Sequence, residues 1–389
     1  MSENNPSSNP DDNEPTCWVT FTNSAQQKIA TINFAEKSHA PSARKLSIID
    51  LRVREFLEHR VVKLRIHDLD QLNKLAYYFD TNYQKPVYRD QGNYSWPLET
   101  KLERNAPEDV KNKSGLEEFE HRTFVEAQRR LHRYVDTLPD DEDILSWLAF
   151  IRHHGVPTRL LDVTKSFFIA CYFAMQDNSP GQDAALWIFQ RFLYNRAFFE
   201  WCRLHKESVL RDSPYTNVKY GEPYYWPFPK NLTRAKRTIT YDSLRQRPNM
   251  DILDLHAVLE AAMYGLIDKP GFAVAEPYWL TLRMDVQQGA FLIPFNVRQS
   301  FQENLFSYLS FDKSQDLCSD TDEIKFPEDV NTLEDIITFV PVIKVRLCSS
   351  MHELLRIRLN TMNIRDLTLF PDIEGAMQHI SSHVPVKRK

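Results

Sequence analysis

The sequence predicts an α+β protein in which mixed or antiparallel sheets are flanked by helices. Alternating or fully apolar segments typical of strands occur near both ends and in the middle of the chain. Amphipathic segments with helix-capping residues lie between them. No regular β–α–β spacing connects the two kinds of segment, so a doubly wound parallel sheet is not expected.

The composition bounds the class of protein. The chain has 389 residues, 42% of them hydrophobic, a net charge of −5 and a mean hydropathy of −0.48. Residues 1–10 have neither the cationic start nor the apolar core of a signal peptide, and no apolar run is long enough to span a membrane. The five cysteines are scattered and never form a Cys-x-x-Cys pair, as in a reducing compartment. We therefore expect a cytoplasmic globular protein that makes no membrane contact.

Shifts in composition divide the chain. Residues 1–16 are polar and rich in Asn and Pro, which predicts a disordered tail. Residues 17–59 are expected to form an N-terminal extension and residues 60–383 the main domain. An aromatic and Arg-rich insertion is expected within that domain at about 191–250, and residues 384–389 form a basic tail.

The predicted elements of the first half are a hairpin over 17–34, a strand over 61–67, a helix over 68–79, a helix over 114–136 and a helix beginning after Asp140–Asp143. Asp68 is placed to cap its helix, and Ser114 with Glu117 has the spacing of a capping box. Gly155 suits a left-handed helix end. Between Gly155 and the next helix, the sequence indicates a buried turn.

The predicted elements of the second half are a buried helix over 165–176, a strand over 184–189, a helix over 251–267, strands over 278–283 and 289–294, a late strand over 336–346 and a helix from about Met351. Residues 285–288 are expected to join the two middle strands.

Two segments combine polar groups with residues that favour burial. Residues 87–98 place Arg89 after a β-prone pair, where it can hold a phosphate bidentately, although a surface pair with Asp90 is the simpler interpretation. Residues 152–174 contain Arg159, Asp162 and Thr164 among apolar neighbours. Buried polar groups must be paired or must face a pocket. Arg159 and Asp162 therefore either form a structural ion pair or line a site.

Two later segments are less specific. Residues 283–294 carry Gln287 and Gln288, which either face a cleft or close a hairpin. In residues 367–376, Asp372 is expected to cap a helix. His153 and His154 are adjacent and point apart on a helix, so no metal site is expected.

Taken in order, these four segments resemble the FRG domain family. The matching residues are Tyr88-Arg-Asp-Gln91, Trp96-Pro-Leu98, Arg104, His153-His-Gly-Val-Pro-Thr-Arg-Leu-Leu-Asp-Val-Thr164, Ala170-Cys-Tyr-Phe-Ala174, Gln287-Gln-Gly-Ala-Phe291 and Leu369-Phe-Pro-Asp372. Asp90 departs from the family pattern, which has glycine there. The family in turn resembles, more distantly, the ADP-ribosyltransferase fold.

The resemblance implies a set of site residues. It implies that NAD is bound by Arg89, Gln91, His154, Arg159, Thr164 and Tyr172, and that Gln288 and Asp162 act in catalysis. Gln288 stands where transferases of that fold have a glutamate, and a neutral amide cannot offset positive charge developing at the ribose C1′. Asp162 is the carboxylate that the sequence offers instead.

The resemblance therefore predicts an NAD-binding, ADP-ribosyltransferase-like toxin or an NAD-cleaving enzyme of a bacterial antiviral defence or toxin–antitoxin system. Its partners would be a protein or nucleic-acid acceptor and an antitoxin or sensor protein. The acidic segment 312–328 and the basic residues 387–389 are the expected regulatory surfaces.

Two other interpretations stay open. In the first, the protein is a non-catalytic module that recognises a nucleotide, nucleic acid or protein through its 191–250 segment, where aromatic residues lie among cations. The residues concerned are Tyr220, Tyr224, Tyr225, Trp226, Arg234, Lys236 and Arg237. In the second, Arg159 and Asp162 only hold the core together and the pocket is vestigial.

Overall fold

The computed structural model describes most of the predicted main domain and an N-terminal hairpin. The described residues are 17–22, 28–34, 61–81, 86–111, 115–141, 143–176, 178–190, 269–277, 281–310, 316–318, 323–325, 340–373 and 375–377, with the single positions 259, 262, 267 and 380. Within these residues, no helix is both long and apolar enough to cross a membrane.

Ten strands are described. They are β1 (Cys17–Thr22), β2 (Lys28–Phe34), β3 (Val61–Ile66), β4 (Val87–Gln91), β5 (Leu161–Thr164), β6 (Ala184–Phe189), β7 (Phe272–Ala275), β8 (Gly289–Pro294), β9 (Glu323–Lys325) and β10 (Val342–Leu347). Strands β1 and β2 pair antiparallel, which confirms the predicted hairpin. The other eight strands form one sheet in the order β7-β8-β5-β4-β6-β10-β3-β9.

This large sheet is mixed. Pairing is antiparallel from β7 to β10, whereas β3 runs parallel to both β10 and β9. Together with the helices around it, the sheet confirms the α+β class. Strand β6 is fully buried, as expected for an apolar strand in the middle of a covered sheet.

The helices of the described residues are α1 (Leu69–Thr81), α2 (Lys101–Asn105), α3 (Gly115–Leu131), α4 (Ile144–His153), α5 (Phe167–Gln176), α6 (Leu282–Val286), α7 (Phe301–Tyr308), α8 (His352–Thr361) and α9 (Asp366–Leu369). Apolar residues of α1, α5 and α8 pack in one cluster with β3, β6 and β10. Helices α3 and α4 pack in a second cluster with β7 and β8, and α7 packs in a third cluster that includes the opposite residues of the same strands.

Local capping explains where several helices begin and end. Asp68 accepts a hydrogen bond from the Gln71 N–H, and Asp143 caps α4 by accepting from the Ser146 N–H. Gly155 follows α4 with φ +92°, the left-handed conformation predicted for it. The strand at 61–66, the strand at 184–189, the late strand and the helix after Met351 are also confirmed.

Some predicted elements were wrong. Residues 161–164 form strand β5 instead of a buried turn. At the end of the strand expected over 278–283, residues 282–286 form helix α6 instead, because the Thr281 hydroxyl accepts from the Met284 N–H and caps a helix there. Residues 278–280 lie outside the described residues. The strand beside β8 is instead β7.

Other predictions are only partly tested. Helix α3 ends at Leu131, short of the predicted 136, and its expected cap Ser114 lies outside the described residues, as do residues 251–258 and 336–339. Glu117, the other half of the expected capping box, binds Arg298 with Nε–Oε2 2.9 Å. The boundaries at 16/17, 59/60 and 383/384 stay predictions.

Candidate functional site

Strands β4 and β5 are paired in the sheet at only one residue of each strand. Tyr88 lies opposite Thr164, whereas β4 pairs with β6 along five residues. Next to that pair, a side chain replaces the backbone hydrogen bonds between the two strands: Arg89 Nη1 donates to the Asp162 carbonyl oxygen at 3.1 Å. The two strands therefore separate at a point where a guanidinium lies between them.

The sheet register brings three of the sequence motifs together. Tyr88 of β4, Thr164 of β5 and Gly289 of β8 lie in one row across neighbouring strands. Because adjacent strands are about 4.8 Å apart, the three backbones span about 10 Å. Arg89 and Gln288 are the chain neighbours of this row. Segments that are far apart in sequence thus meet at one end of β5.

Helix α4 supplies a second arginine to this end of β5. Arg152 lies in the last turn of α4, and its Nε and Nη2 both donate to the Asp162 carboxylate, with an Nε–Oδ2 distance of 3.1 Å. Gly155 turns the chain after α4 so that it returns to the sheet as β5. Desolvation acts to raise the pKa of Asp162, but the charge and hydrogen bonds of Arg152, with the charge of Arg89, hold it below its usual range.

Helix α2 adds two more cations. A capping box at Thr100 and Glu103 fixes the start of α2, and Glu103 also accepts from the Phe301 N–H at 2.6 Å. Desolvation and the charges of Arg89 and Arg152 lower the pKa of Arg104. Desolvation and the charge of Arg152 lower the pKa of Lys101. The charges of Lys101 and Arg104 thus interact with that of Asp162, as do those of Arg152 and Arg89.

Positive charge in this cluster is only partly compensated. Arg89 Nε and Arg152 Nη1 are buried and make no hydrogen bond within the described part of the chain. Asp90 lies 3.8 Å from Arg89 Nη1, beyond hydrogen-bond distance, and the Arg104 guanidinium has neither a hydrogen bond nor an ion pair to any described residue. Guanidinium groups that converge with unused N–H donors are suited to bind a phosphate. We call Arg89, Lys101, Arg104, Arg152 and Asp162 the cation cluster.

Arg159, predicted as a ligand of the cofactor, is instead part of the core. Its side chain is 0% exposed, and its Nε donates to Glu120 Oε2 at 2.7 Å. Its other guanidinium nitrogens donate to the carbonyls of Phe295 and Ala262. The alternative of an Arg159–Asp162 pair is also wrong, because Arg159 pairs with α3 and Asp162 with α4.

Two other predicted ligands have their hydrogen bonds committed to the protein. Gln91 is buried, donates from Nε2 to the Pro97 carbonyl at 2.8 Å and accepts from Trp187 Nε1 at 2.7 Å. The Thr164 hydroxyl donates to the Gln287 carbonyl at 2.7 Å and accepts from the Ser166 N–H. In this structure both side chains hold loops and strands together.

His154 and Tyr172 have other neighbours. His154 ends α4 and is exposed, with its ring against Phe150 at a centroid distance of 4.7 Å. The Tyr172 hydroxyl donates to the Asp366 carboxylate, and desolvation together with this hydrogen bond raises its pKa. Tyr172 thus ties α5 to α9, and none of these contacts joins the cation cluster.

Gln287 and Gln288 join helix α6 to strand β8, so the alternative that they close a hairpin is wrong. Gln287 Nε2 donates to the Leu369 carbonyl at 2.9 Å. Gln288 adopts φ +50°, and its carbonyl accepts from the Lys165 N–H while its side chain is exposed. The Gln288 amide is therefore available to a ligand beside the Tyr88–Thr164–Gly289 row.

The last motif packs against this corner of the sheet. Asp372 Oδ1 accepts from the Gly375 N–H at 2.7 Å, as predicted for a cap. The Phe370 ring lies against Phe173 of α5, and the Arg283 guanidinium stands 4.4 Å from its centroid. The motif thus supports the junction that presents Gln288.

Sequence reasoning missed several charged residues of this region. Arg104 is present in the family pattern and Arg152 begins the central motif, but neither was assigned a role. The available signal was Arg104 in the quoted family pattern and Arg152 in the last turn of a predicted helix, three residues before Gly155. Glu276 directly follows β7 and pairs with Lys165 at 2.9 Å, which puts a second carboxylate near β8.

Two sequence-level interpretations have little or no structural test. No group of three His, Cys, Asp or Glu side chains suited to a metal ion occurs among the residues described. The aromatic and basic patch between Tyr220 and Arg237 lies outside the described residues.

Comparison with protein families gives one match: the model of the FRG domain matches residues 84–183. Neither the curated proteins nor the solved structures gave a match to this chain. The matched segment runs from just before β4 to just before β6 and contains every member of the cation cluster.

Proposed function

Because residues 84–183 form an FRG domain, we propose that its cation cluster binds the pyrophosphate of NAD. The observation that carries the proposal is that Arg152 pairs with the Asp162 carboxylate and Arg89 donates to the Asp162 carbonyl, while a buried guanidinium nitrogen of each arginine makes no hydrogen bond within the described residues. A pyrophosphate carries two negative charges and several acceptor oxygens. It would offset the excess positive charge and accept the unused hydrogen bonds.

The position of the cluster suits a nucleotide that reacts at its ribose. With the pyrophosphate between Arg89 and Arg104, the ribose would extend along the row toward Gln288. The exposed Gln288 amide would orient the ribose hydroxyls. Asp162 would offset positive charge as it develops at the ribose C1′.

The proposed reaction breaks the bond between C1′ and the nicotinamide nitrogen. Nicotinamide leaves as a neutral base with the bonding electrons. A nucleophile of a macromolecule, or water, then forms a bond to C1′ and loses a proton. The protein would accordingly be an ADP-ribosyltransferase-like enzyme or an NAD-cleaving enzyme, acting as a toxin or defence effector with an antitoxin or sensor as its regulator.

A second candidate function is a non-catalytic nucleotide-recognition module. The observation that favours it is that Asp162 is already paired with Arg152, while Gln288 is neutral. In such a module the same cation cluster would bind the phosphates without any bond being broken.

The binding proposal is tested by Arg104→Ala, because Arg104 is exposed and has no partner among the described residues. Losing one charged hydrogen bond to phosphate weakens NAD binding by roughly 10- to 100-fold. Isothermal titration calorimetry measures this change. The matched control is Arg122→Ala, which removes an exposed arginine of α3 that pairs with Glu118 on the same helix. Equal NAD affinity in wild type and Arg104→Ala would refute the proposed site.

Catalysis is tested separately with NAD labelled on the adenylate and incubated with cell lysate. Transfer of label to a macromolecule identifies a transferase, and nicotinamide release without transfer identifies an NAD-cleaving enzyme. NAD binding without either reaction supports the recognition module.

A further inference from the structure

The side chains of Asp162 and Arg152 differ in solvent exposure. The Asp162 side chain is 46% exposed, whereas the Arg152 side chain is only 11% exposed. The carboxylate is therefore the more accessible group of the pair, and the guanidinium reaches it from a more buried position. A ligand that approaches the pair from solvent meets the carboxylate first.

Arg152 uses only part of its hydrogen-bonding capacity. Nε and Nη2 both donate to Asp162, while Nη1 is buried and has no hydrogen-bond partner in the described residues. The planar guanidinium can donate to a second anion through another edge. A phosphate at this place would compete with Asp162 for the same group.

Asp162 serves as counter-ion to more than one cation. The charges of Arg152 and Arg89 both act on Asp162, and the charge of Asp162 acts on Lys101 and Arg104. The other carboxylates near these cations are Asp90 and Glu99. When a polyanion replaces Asp162 as counter-ion, the carboxylate no longer has to remain on Arg152.

We propose that Arg152 is a positioning residue that holds Asp162 until the phosphate groups of the ligand bind, and that phosphate binding then frees the carboxylate to act on the ribose. This inference rests on the proposed function of the site. It gives the domain a carboxylate that Arg152 neutralises and that becomes active only beside bound nucleotide.

The inference predicts opposite effects of one substitution on binding and on turnover. Asp162→Asn removes the competitor for Arg152, so affinity for inorganic pyrophosphate rises by about two- to fivefold, the range expected from a half-exposed ion pair. Nicotinamide release from NAD falls by at least about 100-fold, because the charge that stabilises C1′ is lost. Calorimetry and a nicotinamide assay on the full chain measure the two effects.

A purely structural role for Asp162 gives a different result. If the carboxylate only supports the fold, Asp162→Asn weakens pyrophosphate binding or leaves it unchanged, and either outcome overturns the inference. Failure of the proposed function is recognised independently, because Arg104→Ala then leaves NAD affinity unaltered.

A second measurement uses the wild-type chain and does not depend on how the variant folds. The carboxyl carbon of Asp162 is titrated by NMR with and without inorganic sulfate, which does not change charge between about pH 3 and 6. Displacement of Arg152 raises the pKa of Asp162 when sulfate binds, because the charge and hydrogen bonds of the paired Arg152 hold that pKa low. If the pKa of Asp162 is the same with and without sulfate, the proposed replacement of Asp162 by the anion at Arg152 is contradicted.

Discussion

Arg159 shows how a buried polar residue can mislead. The sequence indicates correctly that Arg159 must be paired or face a pocket, because its neighbours are apolar. It does not indicate the partner, since Glu120 is 39 residues earlier on α3 and the two meet only through helix packing. The same holds for Gln91, whose acceptor atom serves Trp187, 96 residues away. The residue types predicted that these side chains are buried and paired. Long-range packing decided whether each partner is another group of the protein or a ligand.

The Glu120–Arg159 pair leads to a prediction about stability. Glu120→Gln leaves a fully buried guanidinium without its counter-charge, so the free energy of unfolding falls by about 3–5 kcal/mol. Denaturation in urea, monitored by circular dichroism, measures this loss. The control Glu118→Gln removes an exposed carboxylate from the same helix and changes stability by under about 1 kcal/mol. An equal loss of unfolding free energy in both variants would show that burial of the Glu120–Arg159 pair does not determine its contribution to stability.

Among the elements, those with several sequence signals in agreement were the easiest to predict. Helix α4 has an acidic N-cap, an apolar face and a glycine at its end, and all three signals agree. Strand β5 has only four residues, too few for alternation to be distinguished from a turn. Helix α6 has five residues, and Leu282-Arg-Met-Asp-Val286 fits either a strand or a single helical turn. The site takes Asp162 from β5 and Gln288 from the turn after α6, so part of its geometry depends on two elements that the sequence did not predict.

A substitution of Gln288, at the junction between α6 and β8, is expected to have opposite effects on stability and on function. Gln288 is held at φ +50°, which costs a residue with a Cβ about 1 kcal/mol or more. Gln288→Gly removes this strain and, after the greater chain entropy of glycine is counted, raises the free energy of unfolding by about 0.5–1 kcal/mol.

The same variant lacks the amide that would orient the ribose, so nicotinamide release decreases although the protein is more stable. Thermal unfolding and the nicotinamide assay measure the two effects. Gln288→Ala, which retains the strained backbone, is the control. Full turnover in the Gln288→Gly variant would show that Gln288 is not a functional residue of the site.

At the scale of the whole molecule, the family-matched segment is smaller than the sheet that supports it. Residues 84–183 contain β4 and β5, but β6 starts at Ala184, and β8 and β10 come from later in the chain. Arg89 keeps its position because β4 is paired along its length with β6. The site is therefore a property of the complete sheet, which no single motif in the sequence reveals.

This organisation predicts that the segment 84–183 does not fold by itself. It lacks the strands that flank β4 and β5, so the apolar faces of α4 and α5 have little to pack against. Circular dichroism and NMR of the isolated segment should show no cooperative unfolding transition, whereas a chain of residues 60–383 should unfold cooperatively. A well-folded isolated segment would show that the outer strands are dispensable.

The parallel pairing of β3 with β10 also bears on how the protein is made. His67, just after β3, lies 281 residues before its contact Cys348, just after β10. At about 5–20 residues per second, the ribosome needs roughly 14–56 s to synthesise the intervening chain. During this interval β3 has no permanent partner on the β10 side, and its apolar residues are available to chaperones or to other nascent chains. The long sequence separation between β3 and β10 thus makes synthesis of β10, more than any local folding event, the step that completes this part of the sheet.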